Sequence, residues 1–105
     1  MSPPLPSDTL FRALSDPTRR AIFERLAAGP SSVGDLAALL PVSRPAVSQH
    51  LKALQASGLV TQVKKGTARI YSVDPKAVAE LRDYFDRFWD VALDAYQRSL
   101  EGGDA

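Results

Sequence analysis

Arg44, Pro45, Ser48, Gln49 and Lys52 recur one, three and four residues apart. On a helix that spacing puts them on one side. Their chemistry suits the edges of DNA bases. Arginine pairs bidentately with guanine and glutamine with adenine, while serine serves several bases. Arg44, Pro45, Ser48 and Gln49 are therefore the candidate base readers. Lys52 lies further along and suits a phosphate. Lys64, Lys65, Thr67 and Arg69 crowd a short segment around Gly66. With Ser43, His50 and Lys52 they are the candidate phosphate contacts.

The charge distribution supports a polyanion partner. Net charge is only +1, yet no acidic residue lies between Asp35 and Asp74. That stretch holds five of the thirteen basic residues and none of the twelve acidic ones. A cationic block on a mildly acidic body is the footprint of a surface that binds nucleic acid. Catalysis finds no support. There is no cysteine and one histidine, and neither a phosphate-cradling glycine loop nor a Gly-x-Ser-x-Gly elbow occurs. Missing cysteines exclude disulfides, thiolate metal sites and thiol redox sensing, and they fit a reducing cytoplasm. No apolar run approaches the roughly 20 residues of a membrane span. No cofactor is expected.

The elements that must position these residues follow from caps and periodicity. In a chain of 105 residues one domain is expected over 8–100, with a disordered lead at 1–7 and a disordered tail at 101–105. The lead is Ser- and Pro-rich and lacks the pattern of a signal peptide. Ser7 or Asp8 can cap a first helix carrying Leu10, Phe11 and Leu14. Asp16-Pro17 is an N-cap followed by a favoured first residue, opening a second helix with Ala21, Ile22 and Leu26 inward. Ser32 caps a third, with Val33, Leu36, Leu39 and Leu40 inward. Only Pro41-Val42 separate it from Ser43, which caps a fourth helix with Val47, Leu51 and Leu54 inward. Gly58 ends that helix. The period then shifts to two over 60–63 and 68–73, with Lys65-Gly66 at the turn, which predicts a hairpin. Asp74-Pro75 opens a last helix to about Leu100, about 39 Å long.

Two short helices across a tight turn and then a hairpin is the order of a winged helix-turn-helix. The runs Leu10-Phe-Arg-Ala-Leu-Ser-Asp-Pro-Thr-Arg-Arg-Ala-Ile and Val42-Ser-Arg-Pro-Ala-Val-Ser-Gln-His-Leu-Lys-Ala-Leu-Gln-Ala-Ser-Gly-Leu-Val resemble the opening and the recognition helix of the ArsR/SmtB-type repressors. The resemblance runs from about Asp8 to Leu100. It implies a mainly α fold of five helices with a β-hairpin wing, a homodimer through the first and last helices, and operator binding that represses transcription. Metal-sensing members carry a cysteine pair in the third helix or Asp/His ligands along the last. Here the third helix has no thiol and the last no histidine, so no Cys/His metal site is expected. Autoregulation is compatible with that.

The last helix concentrates Tyr84, Phe85, Phe88, Trp89 and Tyr96, five of the eight aromatic residues. Such a surface is wider than one small monomer uses and marks an interface. Leu10, Phe11, Leu14, Leu81, Phe85, Phe88, Trp89, Ala92 and Tyr96 are the expected dimer contacts. An apolar effector lining part of this face is the sharper alternative. Asp83, Asp86, Asp90 and Asp94 suggest a carboxylate metal site, but Arg82–Asp86, Asp83–Arg87 and Asp94–Arg98 are i, i+4 pairs that explain them as a solvated face. For His50 a half-buried structural role and a phosphate contact stand equal. Arg19 and Arg20 read as surface ion pairs, with phosphate contact second. The expected partner is a near-palindromic double-stranded operator. Two copies of helix four would enter successive major grooves about 34 Å apart. The competing class is a winged-helix module that grips a protein.

Overall fold

Four side-chain caps divide the helical part of the chain. In the computed structural model, which describes residues 8–102, α1 spans Asp8–Leu14 and α2 Pro17–Ala27. Asp16 caps α2 by accepting from the Arg19 amide at 2.9 Å, with Pro17 in the first turn. Ser32 and Ser43 cap α3 (Val33–Leu39) and α4 (Arg44–Ala56), accepting from the amides of Asp35 and Ala46. Asp74 caps α5 (Pro75–Glu101) through the Lys76 amide. Each cap satisfies one of the orphan donors at a helix start. The expected lead at 1–7, the alternative cap Ser7 and the last three residues of the expected tail lie outside the described residues. Within that tail, Glu101 is helical and Gly102 is the C-cap.

Gly58 leaves α4 at φ +88°, a conformation open to glycine at little cost. The chain then enters β1 (Val60–Lys65), turns through Gly66-Thr67 and returns as β2 (Ala68–Val73). Only the first turn residue has positive φ, Gly66 at +66°, which is the glycine-first pattern of a type II′ hairpin. The strands pair antiparallel with Val60 opposite Val73 and Lys65 opposite Ala68. A third short segment joins them. Ser31 exchanges both backbone hydrogen bonds with Tyr71, at 3.0 and 2.9 Å, fastening the wing to the α2–α3 connection.

The core lies where α1 to α4 and the base of the hairpin meet. Ile22, Leu36, Val47, Leu51, Leu54 and Leu59 are fully buried. Leu39 departs from expectation, being exposed on α3. Val33, Leu36, Ala37 and Leu40 form the inward arc. At 3.6 residues per turn Leu39 falls roughly a third of a turn off its centre.

α5 is built differently. Of its 27 residues only Ala77 is buried. Its near half meets α1 through an aromatic trio. Phe11 stands edge-on to Tyr84 and Phe85, with ring centroids at 5.2 and 5.8 Å. Its far half projects, so the radius of gyration is 18.1 Å against about 13 Å for a compact chain of this length.

Candidate nucleic-acid interface

α4 has three flanks. Val47, Leu51 and Leu54 anchor it inward. Pro45, Gln49 and Lys52 are exposed on the opposite side. Arg44 is exposed as well. Ser48 is half-buried, and Arg44, one turn earlier on the same flank, leans its guanidinium over α3. A Cβ built on Gly34 would meet Arg44 Nη2 at 2.7 Å. Gln49 is a long polar side chain exposed on the side opposite the core.

His50 lies on the remaining flank, toward α2. Its Nδ1 is 3.9 Å from Asp16 Oδ2, too long for a hydrogen bond but close enough for Coulombic attraction once the imidazole is protonated. The Asp16 carboxyl is held below its usual pKa, chiefly by the Arg19 amide hydrogen bond. Partial desolvation works against that, and the charges of His50 and Arg19 reinforce it. His50 is half-buried beside Asp16, at the joint of α2 and α4.

The hairpin presents its cations on both faces. Lys64 is paired directly with Arg69, and Lys65 with Ala68. Cross-strand partners share a face and successive residues alternate, so Lys64 and Arg69 lie together on one side and Lys65 on the other. All three, and Thr67 in the turn, are exposed. Like charges directly opposite one another repel, and a phosphate between them would remove the repulsion. Gln62 Oε1 accepts from Arg69 Nη1 at 3.4 Å on the same face. Ser43 is exposed, but its hydroxyl oxygen is engaged as the α4 cap.

Arg19 and Arg20 do something the sequence reading missed. Arg19 Nε donates to the Ala13 carbonyl at 2.7 Å and its Nη2 to Arg12 at 3.3 Å, while Arg20 Nη1 donates to Leu14 at 3.0 Å. They close the C-terminus of α1. The signal available was position, since basic side chains beside a helix end bond its last carbonyls.

On the apolar face, Leu10 is part of the monomer's own core and Leu14 and Leu81 pack against that core. Phe85, Phe88, Trp89, Ala92 and Tyr96 are exposed on α5, and Phe11 is half-buried between the helices. An open groove of about 310 Å³ runs past Tyr84, Arg87, Phe88 and Val91. Arg82–Asp86 and Arg98–Asp94 form at 3.6 and 3.1 Å. Among the described residues no three His, Asp or Glu side chains gather as a metal cage, and no helix is long and apolar enough to cross a membrane.

The two helices α3 and α4, the tight turn between them and the basic hairpin define a winged helix-turn-helix protein. Residues 14–63 match a family model described as a helix-turn-helix domain. The chain is 54% identical over 99 residues to the HTH-type transcriptional regulator Rv2034 of Mycobacterium tuberculosis, covering 92% of each. It is 36% identical over 67 residues to the transcriptional repressor SdpR of Bacillus subtilis, covering 64% of this chain and 74% of that one. An ArsR-like transcriptional regulator from Rhodococcus sp. RHA1 superposes with a TM-score of 0.73 at 38% identity, over 89% of this chain and 91% of the other. The chain belongs to the ArsR/SmtB family of winged helix-turn-helix transcriptional regulators.

Proposed function

We propose that the protein is a homodimeric repressor that holds a near-palindromic operator with two copies of α4 and two wings. The observation that carries the reading is the outward flank of α4, where Gln49 stands exposed beside Pro45 and Lys52, next to an acid-free hairpin bearing Lys64, Lys65 and Arg69. Gln49, with Pro45 and Ser48 beside it, meets base edges. Lys52, Lys64, Lys65, Thr67 and Arg69 meet phosphates, and Ser43 sets the start of the helix that carries the readers. The exposed face of α5 with Phe11 forms the dimer. A dimer is what turns one recognition helix into a pair at the spacing of a helical turn of DNA. No Cys/His metal enters this mechanism, and a cytoplasmic repressor of its own gene fits it.

The test is a fluorescence-anisotropy titration against the DNA upstream of the gene and against a scrambled duplex, at two salt concentrations. Preference for the upstream DNA, with affinity falling by several decades between about 50 and 200 mM salt, is the expected result for about ten phosphate contacts per dimer. Absence of binding at low salt would sink the reading in favour of a protein-gripping module.

A further inference from the structure

We propose that Arg44 is a backbone-phosphate ligand seated at the joint of α3 and α4, and that Gly34 is the positioning residue that admits it there. This rests on the DNA-binding reading and changes the task of one residue within it. The spacing in the sequence puts Arg44 among the base readers, but the fold turns it aside. Its guanidinium occupies the place a side chain at position 34 would take, with Nη2 2.7 Å and Cζ 3.4 Å from a Cβ built on Gly34. Glycine within a helix is less favourable than alanine, and here its bare backbone makes room for a cation from the next helix. Ser48, one turn on, is half-buried, while Arg44 itself stays exposed, so the guanidinium rests on α3 with a side open to solvent.

The electrostatics of the seat ask for an anion. Arg44 lies in the first turn of α4, which carries no acidic residue. A cation at the positive end of a helix is unfavourable by itself. Among the described residues Arg44 has no ion-pair partner, and the Asp35 carboxylate in the first turn of α3 lies beyond ion-pair distance of it. When a helix-turn-helix docks, its first helix crosses the sugar–phosphate backbone while the second enters the groove. A guanidinium between the two meets a phosphate as the helix start arrives. Phosphate contacts set register and orientation without reading sequence. Arg44 thus fixes how deeply α4 sits, and Gln49 is left to discriminate bases.

The experiment compares the wild type with Arg44→Ala, Gly34→Ala, the Arg44→Ala/Gly34→Ala double variant and Gln49→Ala. Each is used to select from a library of randomised duplexes, and each is titrated with one random-sequence duplex of about 30 base pairs from about 50 to 200 mM salt. Arg44→Ala should select the wild-type motif while binding the random duplex more weakly. Losing one phosphate per protomer flattens the slope of log affinity against log salt by about 1.8 per dimer, so about twelvefold less affinity is lost across that salt range. Gly34→Ala should fold, because its Cβ meets only the flexible end of Arg44. It should show a smaller change of the same kind, and no further change in the Arg44→Ala background. Gln49→Ala should alter the selected motif. A motif altered by Arg44→Ala, or a Gly34→Ala protein with wild-type affinity and salt slope, would overturn the proposal and leave DNA binding intact. A wild type that selects no motif and binds random duplex without salt dependence would overturn the DNA reading itself, and this proposal with it.

Discussion

The body made by α1 to α4 and the hairpin buries its large apolar side chains, whereas α5 leaves most of its own exposed. In the body, six large side chains reach complete burial around Leu36, Leu51 and Leu54. Along α5, Phe88 and Trp89 remain 63% and 64% exposed, and Val91, Tyr96 and Leu100 are similar. Helix propensity does not explain such a helix, because most helical stability in proteins comes from packing an apolar face. The apolar residues of α5 sweep roughly half of its circumference, wider than the stripe of a helix resting on a single neighbour. One region encodes its own fold. The other leaves a broad apolar face exposed, which in the proposed repressor is covered by another copy.

The largest expected effect breaks α5 alone. Phe88→Glu combined with Trp89→Glu would bury two unpaired carboxylates in the dimer, each costing about 3–5 kcal/mol. The variant should sediment as a monomer at concentrations where the wild type is dimeric, and operator affinity should fall by decades. Trp89, the sole tryptophan, offers a second readout in the wild type, since dilution to monomer should shift its emission to the red. Unchanged sedimentation would place the dimer contact elsewhere. In the body, Leu51→Ala should lower the unfolding free energy by about 2–5 kcal/mol in urea titrations, with little change in the dimer dissociation constant of the folded protein. A large change in both would mean that the two regions share one core.

Legibility divides along the same line. Asp16-Pro17, Ser32, Ser43, Asp74-Pro75 and Gly58 mark helix ends because capping is settled within a few residues. The inward row Val47, Leu51 and Leu54 is equally local. What escaped depends on neighbours far along the chain. A helical wheel puts Arg44 and Ser48 with Gln49, but it does not show that the Arg44 guanidinium rests against Gly34 of α3. Leu10 looked like an interface residue from its own helix, yet its neighbours in the fold draw it into the monomer's core. Leu39 looked inward until the direction of α3's neighbours was known. Arg19 and Arg20 bond carbonyls six or seven residues back, across a helix break whose angle no local pattern states.

Smaller effects test the division of labour inside the body. Gln49→Ala should cost about 1–3 kcal/mol of operator affinity and relax the preference at one base pair per half-site. Lys64→Ala should weaken every sequence alike and flatten the salt slope by about one per protomer. Quantitative binding to an operator and its single-base variants separates the two. A changed sequence preference in Lys64→Ala with none in Gln49→Ala would reverse the assignment of reader and holder. Lys65, on the other face of the hairpin from Lys64 and Arg69, gives a further contrast, because a wing that lies on DNA with one face should lose less from Lys65→Ala than from Lys64→Ala.

The smallest expected effect concerns the joint between α2 and the recognition helix. Asp16 caps α2 and lies beside His50 on α4, and its carboxyl is held below the usual value of 3.8, first by the Arg19 amide and then, against a desolvation that raises it, by the charges of His50 and Arg19. A carboxyl whose pKa is lower in the folded than in the unfolded state binds protons less tightly when folded. Its contribution to stability is therefore fully present above the unfolded value and disappears as pH falls through the folded one. Asp16→Asn keeps a competent cap and removes only the charge. The variant should be less stable than the wild type near neutral pH, and the gap should close as pH drops below the ordinary carboxylate range. Urea unfolding of both proteins across about pH 3 to 7 measures it. A gap that stays unchanged down to about pH 3 would show that the charge of Asp16 adds nothing to the cap it makes on α2.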